Sequence, residues 1–395
     1  MTPWVQVDVA LSGEQEPAAV AAALRELATA GYSTIGLGRR GAVRIPAGAT
    51  TWGKEIDIPA GVTLVLGRVI DGSLRMREPG ARIVGGELVR ADAAAQPGHL
   101  VQVGRRGEPP VTDWEIAGVK SVIEAGAGAS VFAYTIHNGV RGRVAECEHL
   151  ARATALVSGS GQAFCVVSGG SDIEIVGCRS EVVNAGLVQW IEDDFVNFSA
   201  LNGPLPERIT VRRNTVIGHA ALLSVSHGRN IEASDNHGRA VVAAGWLKAG
   251  PYSRTPDVVE NIRILRNRIV DREGRAWQQV LHAWAANGGR IKDVVIDDLT
   301  IEARPRAGGS TNMLQLRAES GGALRRIAAH NVSLDLTGDI QRIVSTRGAD
   351  VDPIDGIHLR NWRLRGGRAI GVGAPYDLLA GYVPGSLVVE EMDLP

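Results

Sequence analysis

The stretch Ile209-Thr210-Val211-Arg212-Arg213-Asn214-Thr215-Val216 decides the fold, because much of the chain repeats it. It reads apolar, any, apolar, two of any kind, a turn residue, any, apolar. It returns as Ile231-Glu232-Ala233-Ser234-Asp235-Asn236 and as Ile262-Arg263-Ile264-Leu265-Arg266-Asn267-Arg268-Ile269. Looser copies run Val294 to Ile301, Ile327 to Leu334 and Ile357 to Leu364, and weaker ones centre on Val119, Cys147 and Cys178. The turn positions are therefore 119, 147, 178, 214, 236, 267, 299, 332 and 362, with gaps of 28, 31, 36, 22, 31, 32, 33 and 30 residues. Apolar residues two apart mark one face of a strand.

A gap near 30 residues is too long for a hairpin, and no helical pattern lies between copies. It fits one coil of three short strands. A single coil cannot bury its inward side chains, whereas stacked coils place like on like and build a continuous core. The sequence thus predicts an all-β chain, a right-handed parallel β-helix of about ten three-strand coils. Asn214, Asn236 and Asn267 share one corner, where asparagine tolerates a tight turn and can bond its stacked copy.

Between copies runs a second strand set: Leu187 to Asp193, Leu222 to His227, Val241 to Lys248 and Val280 to Asn287. Met313 to Glu319, Ile343 to Arg347 and Ala369 to Pro375 continue it.

Composition narrows the function. Lys and Arg number 42 against 43 Asp and Glu, so no global charge calls for nucleic acid or an anionic membrane. Only four residues are lysine (Lys54, Lys120, Lys248 and Lys292), which with the Ala and Gly load suggests a GC-rich bacterial genome. Cys147, Cys165 and Cys178 are odd in number and form no CxxC, which argues against a disulfide framework or zinc site and for small core residues. No basic n-region with an apolar run opens the sequence, and no stretch reaches a membrane span, so the expected location is cytoplasmic, or secreted if a leader was trimmed. Gly36-Leu37-Gly38-Arg39-Arg40-Gly41 fits GxGxxG, but a strand pattern follows it where a nucleotide site needs a helix.

Residues 17 to 30 form the one clear helical pattern, stopped by Gly31. Val43-Arg44-Ile45-Pro46-Ala47-Gly48, Ile56-Asp57-Ile58-Pro59-Ala60-Gly61 and Val62-Thr63-Leu64 follow. This order resembles the entry segment of the pectate-lyase-like β-helix superfamily, in which the helix caps the N-terminal end of the solenoid. The resemblance covers essentially the whole chain. It implies a cap at 1–45, a parallel β-helix at 46–373 and a closing tail at 374–395. It implies little about activity, since the superfamily holds lyases, hydrolases, epimerases, tailspikes and non-catalytic members.

By that resemblance, the second strand set forms the substrate face. Alternation turns Leu281, Ala283, Leu314, Leu316, Val344 and Thr346 inward, and His282, Trp284, Gln315, Arg317, Ser345 and Arg347 outward. The earlier coils add Trp246 and Lys248, then Ser224, Ser226 and His227, then Gln189, Glu192, Asp193 and Asp194. The candidate catalytic residues are His282, Arg317, Asp193, Asp194 and His227. The candidate substrate-binding residues are Trp246, Lys248, Trp284, Gln315 and Arg347. His282, Arg317 and Arg347 are expected at matching positions on three successive coils.

A glycosidase needs two carboxylates about 5–9.5 Å apart. Asp193-Asp194 resembles the Asp-Asp of polygalacturonases, yet their Arg-x-Lys is missing; a solvated acidic loop explains the pair as well. A lyase or epimerase needs a base for the proton alpha to a uronate carboxylate, with cations to hold the enolate. His282, Lys248, Arg317 and Arg347 suit that work. Asp352-Pro353-Ile354-Asp355 resembles the Asp-Pro-His-Asp of mannuronan epimerases with Ile in the His position, and also reads as a turn.

Two classes follow. One is an enzyme acting on a glycan or sugar-acid-like substrate by lyase, epimerase or hydrolase chemistry. The other is a borrowed solenoid: an intracellular isomerase or cyclase, or a non-catalytic tailspike-like binding protein. The expected partner is a glycan or small-molecule substrate, without nucleic acid or membrane. No cofactor and no metal is expected. The chain is expected as a monomer or homo-oligomer, a trimer if tailspike-like.

Overall fold

The structure is a computed structural model describing residues 6–9, 11, 13–46, 55–91, 98–124, 131–153, 163–184, 194–199, 204–251, 257–272, 279–305, 311–348, 354–371, 374–378, 383 and 386–394. The chain falls into two compact units, 1–193 with 202–204 and 194–201 with 205–395. Each is a parallel β-solenoid, and between them they hold about ten turns.

In the second unit the repeated phrase stacks on itself. Ile209, Ile231, Ile262, Val294, Ile327 and Ile357 form one row, and Val211, Ala233, Ile264, Ile296, Ala329 and Leu359 the next inward one. None of these is more than 1% exposed, so the period-2 pattern is the core.

The corner is built as the asparagines suggest. Oδ1 of Asn236 accepts from the backbone N–H and the side-chain amide of Asn214 at 3.0 and 2.9 Å, and Oδ1 of Asn267 does the same for Asn236 at 2.9 and 3.0 Å. The amides of Asn236 and Asn267 also donate to the carbonyls of Val211 and Ala233. Where the row reaches Trp362, the indole N–H donates to the Ala329 carbonyl at 2.8 Å instead. The residue before each turn position is left-handed: Arg213, Asp235, Arg266, Asp298, Asn331 and Asn361 have φ between 51° and 58°. Asn236→Ala should therefore cost on the order of 1–3 kcal/mol for each buried partner it strands. Urea unfolding measures this, and a loss below ~0.5 kcal/mol would reduce the ladder to ornament.

In the first unit Cys147 and Cys178 hold the same corner on successive coils, as the flanking register shows. Their thiols face the carbonyls of Ile116 and Val144. All three cysteines are buried and outside any disulfide, and burial pushes the thiols of Cys165 and Cys178 up, which suits inert core residues.

The helix spans Pro17–Thr29 with proline in its first turn, and buries Pro17, Val20 and Leu24 next to the strand Ile56–Ile58. The GxGxxG stretch lies inside the strand Thr34–Arg44, where the register to Thr63–Ile70 shifts between Leu37 and Ala42. A Cβ on Gly67 would fall 1.8 Å from the Gly38 carbonyl oxygen, so glycine there lets the bulge pack. Parallel pairing extends into both terminal segments: Gln6–Val9 joins Thr34–Arg44, and Leu387–Asp393 joins Ile354–Arg365. Among the described residues no helix is long and apolar enough to cross a membrane.

Candidate functional site

The second strand set forms its own parallel sheet. In the second unit it comprises Val196–Phe198, Ala221–Val225, Ala243–Ala249, Gln279–Ala285, Asn312–Ala318, Arg342–Gly348 and Tyr376–Leu378. Leu281, Ala283, Leu314, Leu316, Val344 and Thr346 all point inward at 0% exposure. The side chains of the opposite parity fall in two rows, in which Ser224, Trp246 and Lys248 are covered, at 1, 4 and 9% exposure. One runs Asn197, Ser224, Trp246, His282, Gln315, Ser345 and Asp377. The other runs Lys248, Trp284, Arg317 and Arg347.

The expected alignment of His282 with Arg317 and Arg347 is therefore corrected. Leu281 pairs with Leu314 and Leu314 with Val344, so His282 stacks on Gln315 and Ser345 while the arginines stack on Trp284. The two rows are two residues apart on each strand, about 6–7 Å.

Across these rows the side chains interlock. Lys248 Nζ stands 4.5 Å from the centre of the Trp246 ring, and the Arg317 guanidinium 4.5 Å from that of Trp284. Trp246 meets the His282 ring edge-to-face at 6.3 Å. Gln279 Nε2 donates to Gln315 Oε1 at 3.0 Å. Burial first, then the charges of Lys248 and Arg317, pull the His282 pKa down to about 4. At neutral pH this imidazole is uncharged and can accept a proton.

Carboxylates are scarce here. Among the described residues of the two rows only Asp377 carries one, and its Oδ2 lies 2.9 Å from Arg342 Nε. Glu319, just past the strand end, accepts from Arg317 Nε. Asp193, Glu192 and Gln189 lie outside the described residues, as do Asp352 and Pro353. The strand that pairs in this sheet is Val196–Phe198, which leaves Asp194 ahead of it. Asp194 is 1% exposed and accepts from Asn197 Nδ2 at 3.0 Å, so its carboxylate is turned into the protein. At the other end the paired strand is Tyr376–Leu378, later than the expected Ala369 to Pro375; Ala369 makes only an isolated bridge to Ile340.

His227 is not on these two rows either. It follows the strand Ala221–Val225 at the corner, where its Nδ1 accepts from the Val258 N–H at 3.3 Å and lies 3.6 Å from Asp257. Burial lowers its pKa, against the pull of Asp257. The structure thus gathers Trp246, Lys248, His282, Trp284, Gln315, Arg317 and Arg347, and leaves Asp194 and His227 apart.

A second polar cluster, on the corresponding sheet of the first unit, escaped the sequence reading. Arg75 stands between two carboxylates, 2.9 Å from Glu55 and 2.7 Å from Asp57, and His99 Nε2 lies 3.2 Å from Glu55. The Glu55, Arg75 and His99 side chains are only 1–6% exposed. Burial pushes the Glu55 pKa up, but its bond to His99 and the charges of His99 and Arg75 outweigh this and hold it low. The alternation of Glu55-Ile56-Asp57-Ile58 and Leu74-Arg75-Met76 was the available signal, since Asp57 and Arg75 are register partners.

No family model matches this sequence, and no curated protein matches it. Solved structures do. A mutant tailspike protein of E. coli bacteriophage HK620, in complex with a pentasaccharide, superimposes at TM-score 0.62 and 13% identity over 89% of this chain. This chain spans 62% of that tailspike's length. An exopolygalacturonase from Thermotoga maritima matches at TM-score 0.58 and 13% identity, over 91% of this chain and 93% of its own. The A-module of a mannuronan C-5 epimerase from Azotobacter vinelandii matches at TM-score 0.52 and 12% identity, over 96% of each chain. Such low identities speak for the fold alone. The chain has the pectin-lyase fold, the right-handed parallel β-helix that its repeats imply.

Proposed function

We propose that the protein binds an acidic glycan along the two outward rows of the second unit and acts on it by lyase- or epimerase-type chemistry, with His282 as the base. The observation that carries this reading is the placement of a neutral imidazole beside two cations, each held over an indole face. A flat apolar ring face of a sugar packs on an indole, for which Trp284 is half-buried while Trp246 is covered and supports Lys248 from below. Carboxylates of the same polymer meet Lys248, Arg317 and Arg347. The strands from Ala243–Ala249 to Arg342–Gly348 are four successive coils, so the rows span about 14 Å, room for a short oligosaccharide.

In the reaction, His282 takes the proton alpha to a uronate carboxylate. The C–H electron pair moves into that carboxylate, and the cations stabilise the resulting enolate. Collapse of the enolate either expels the glycosidic oxygen at the beta carbon, which takes the proton back from the His282 imidazolium and leaves a double bond, or takes a proton from water on the opposite face while the imidazolium returns its proton to the hydroxide left behind. Hydrolysis is the weaker reading, because it needs two carboxylates and these rows offer Asp377 alone among the described residues. The same scarcity favours a second reading, a tailspike-like binding protein that holds a glycan without turning it over.

Uronic-acid polymers are the test. Turnover gives either the absorbance of an unsaturated product or a change in epimer ratio by NMR, and binding should exceed that to a neutral glucan. Lys248→Ala and Arg317→Ala should each weaken polyuronate binding by roughly tenfold, the loss of a charge-assisted contact, while binding to neutral glucan stays put. Equal affinity for charged and neutral polymers would sink the acidic-glycan reading. Binding without either product would leave the binding protein.

A further inference from the structure

The other sheet of the second unit carries a group that the glycan reading does not use. His330 comes from the strand Ala323–Leu336, His358 from Ile354–Arg365 and Glu390 from Leu387–Asp393, three successive coils. His330 Nε2 and His358 Nδ1 face each other at 3.4 Å, and the far nitrogen of His358, Nε2, lies 3.4 Å from Glu390 Oε2. The rings meet at 74° with centroids 4.8 Å apart, so they are edge-on and not stacked face to face.

From this geometry we propose that His330 Nε2 and His358 Nδ1 form a binding site for a first-row divalent transition ion of zinc type, with Glu390 as the carboxylate behind His358. The separation of the two nitrogens is the reason. A tetrahedral ion with metal–nitrogen bonds of about 2.0–2.1 Å has ligand–ligand edges of about 3.3–3.4 Å. The ion enters between the imidazoles without moving either strand.

Glu390 supplies the preorganisation. A carboxylate accepting the Nε2–H of His358 fixes the tautomer whose lone pair is on Nδ1, the atom that faces His330. His330 then carries its proton on Nδ1, and both imidazoles bind in their neutral form. The charge of Arg360 is taken up by the carboxylates of Glu390 and Glu391, 3.9 and 3.5 Å away. Among the described residues no set of three or more His, Cys, Asp or Glu side chains converges on a metal position, so water completes the coordination. Imidazole with open positions selects Zn²⁺, Ni²⁺ or Cu²⁺ over Mg²⁺ or Ca²⁺. The bound ion ties two coils of the solenoid together, and a third through Glu390.

Calorimetric titration of the full chain with ZnCl₂ tests this, with thermal melts read alongside. Zinc should bind and raise Tm, while MgCl₂ should do neither. His330→Ala and His358→Ala should each abolish both effects, and Glu390→Gln should weaken zinc affinity about 10- to 100-fold. His237→Ala, at an exposed histidine elsewhere in the same unit, should leave zinc binding unchanged. Circular dichroism separates a lost site from a lost fold. Undiminished zinc affinity in the folded His330→Ala, His358→Ala double variant overturns the site, as does equal weakening by His237→Ala. Glycan binding is read separately, since none of these residues lies on the glycan-facing rows.

Discussion

Ile264→Asp is expected to leave no folded protein. Ile264 is fully buried, with Ala233 as its register partner on one coil and Ile296 on the next. Its Cδ1 would stand 2.7 Å from a Cβ built on Gly245, so it fills the space that this glycine leaves on the facing strand. A carboxylate put there finds neither water nor a counter-charge. It must stay ionised in an apolar interior or take up a proton, at a cost of several kcal/mol either way, on top of the lost apolar burial. Whole domains are stable by only about 5–15 kcal/mol. A solenoid has no alternative packing to fall back on, because each coil touches only its neighbours and a lost coil uncouples the two sides. Ile264→Val, which removes one methylene and adds no charge, should cost only about 0.5–1.5 kcal/mol. Soluble expression and far-UV circular dichroism read the result. An Asp variant that melts like the parent would mean that Ile264 does not face the core.

The fold was legible because a stacked coil repeats its physics every thirty residues or so. The Ile-x-Ile phrase at 262–264, its copies and the asparagine corner each fix a strand, a face and a turn from local pattern alone. The site was legible only in part. Alternation named the outward residues on Gln279–Ala285, Asn312–Ala318 and Arg342–Gly348 correctly, since period 2 survives any error in strand ends. It did not say which outward residue meets which. That depends on register between coils, which unequal loops offset, and so His282 was paired with Arg317 when its partner is Gln315. Near Asp194 the paired strand is Val196–Phe198, which no repeated phrase announced, while the expected strand Leu187 to Asp193 lies outside the described residues. The Glu55, Arg75 and His99 network was missed for another reason. Each of its members looks like an ordinary surface charge until contacts from separate coils bury it.

His282→Ala should lower turnover of an acidic glycan by about 10²–10⁴ while the protein stays folded, the usual loss on removing a general acid or base. Its low pKa gives the reading a sign that a merely structural histidine would lack. Free protein holds His282 near 4, first through burial and then through Lys248 and Arg317. A base must be deprotonated to act, so kcat/KM, which reports the free enzyme, should rise as pH climbs through about 4 and then level off. An acid would show the opposite, a fall above that pH. Substrate changes the balance. A carboxylate lying between Lys248 and Arg317 offsets the two charges that depress the imidazole, so His282 becomes more basic in the complex. The limb seen in kcat should therefore lie at higher pH than the limb in kcat/KM. His282→Gln keeps a polar side chain of similar reach against Trp246 and should leave binding near normal while turnover is lost. If the Gln variant retains full turnover, or both limbs coincide and persist in it, His282 is not the base. The chemistry then belongs to a residue outside the two rows, and the tryptophans and cations remain as a binding face only.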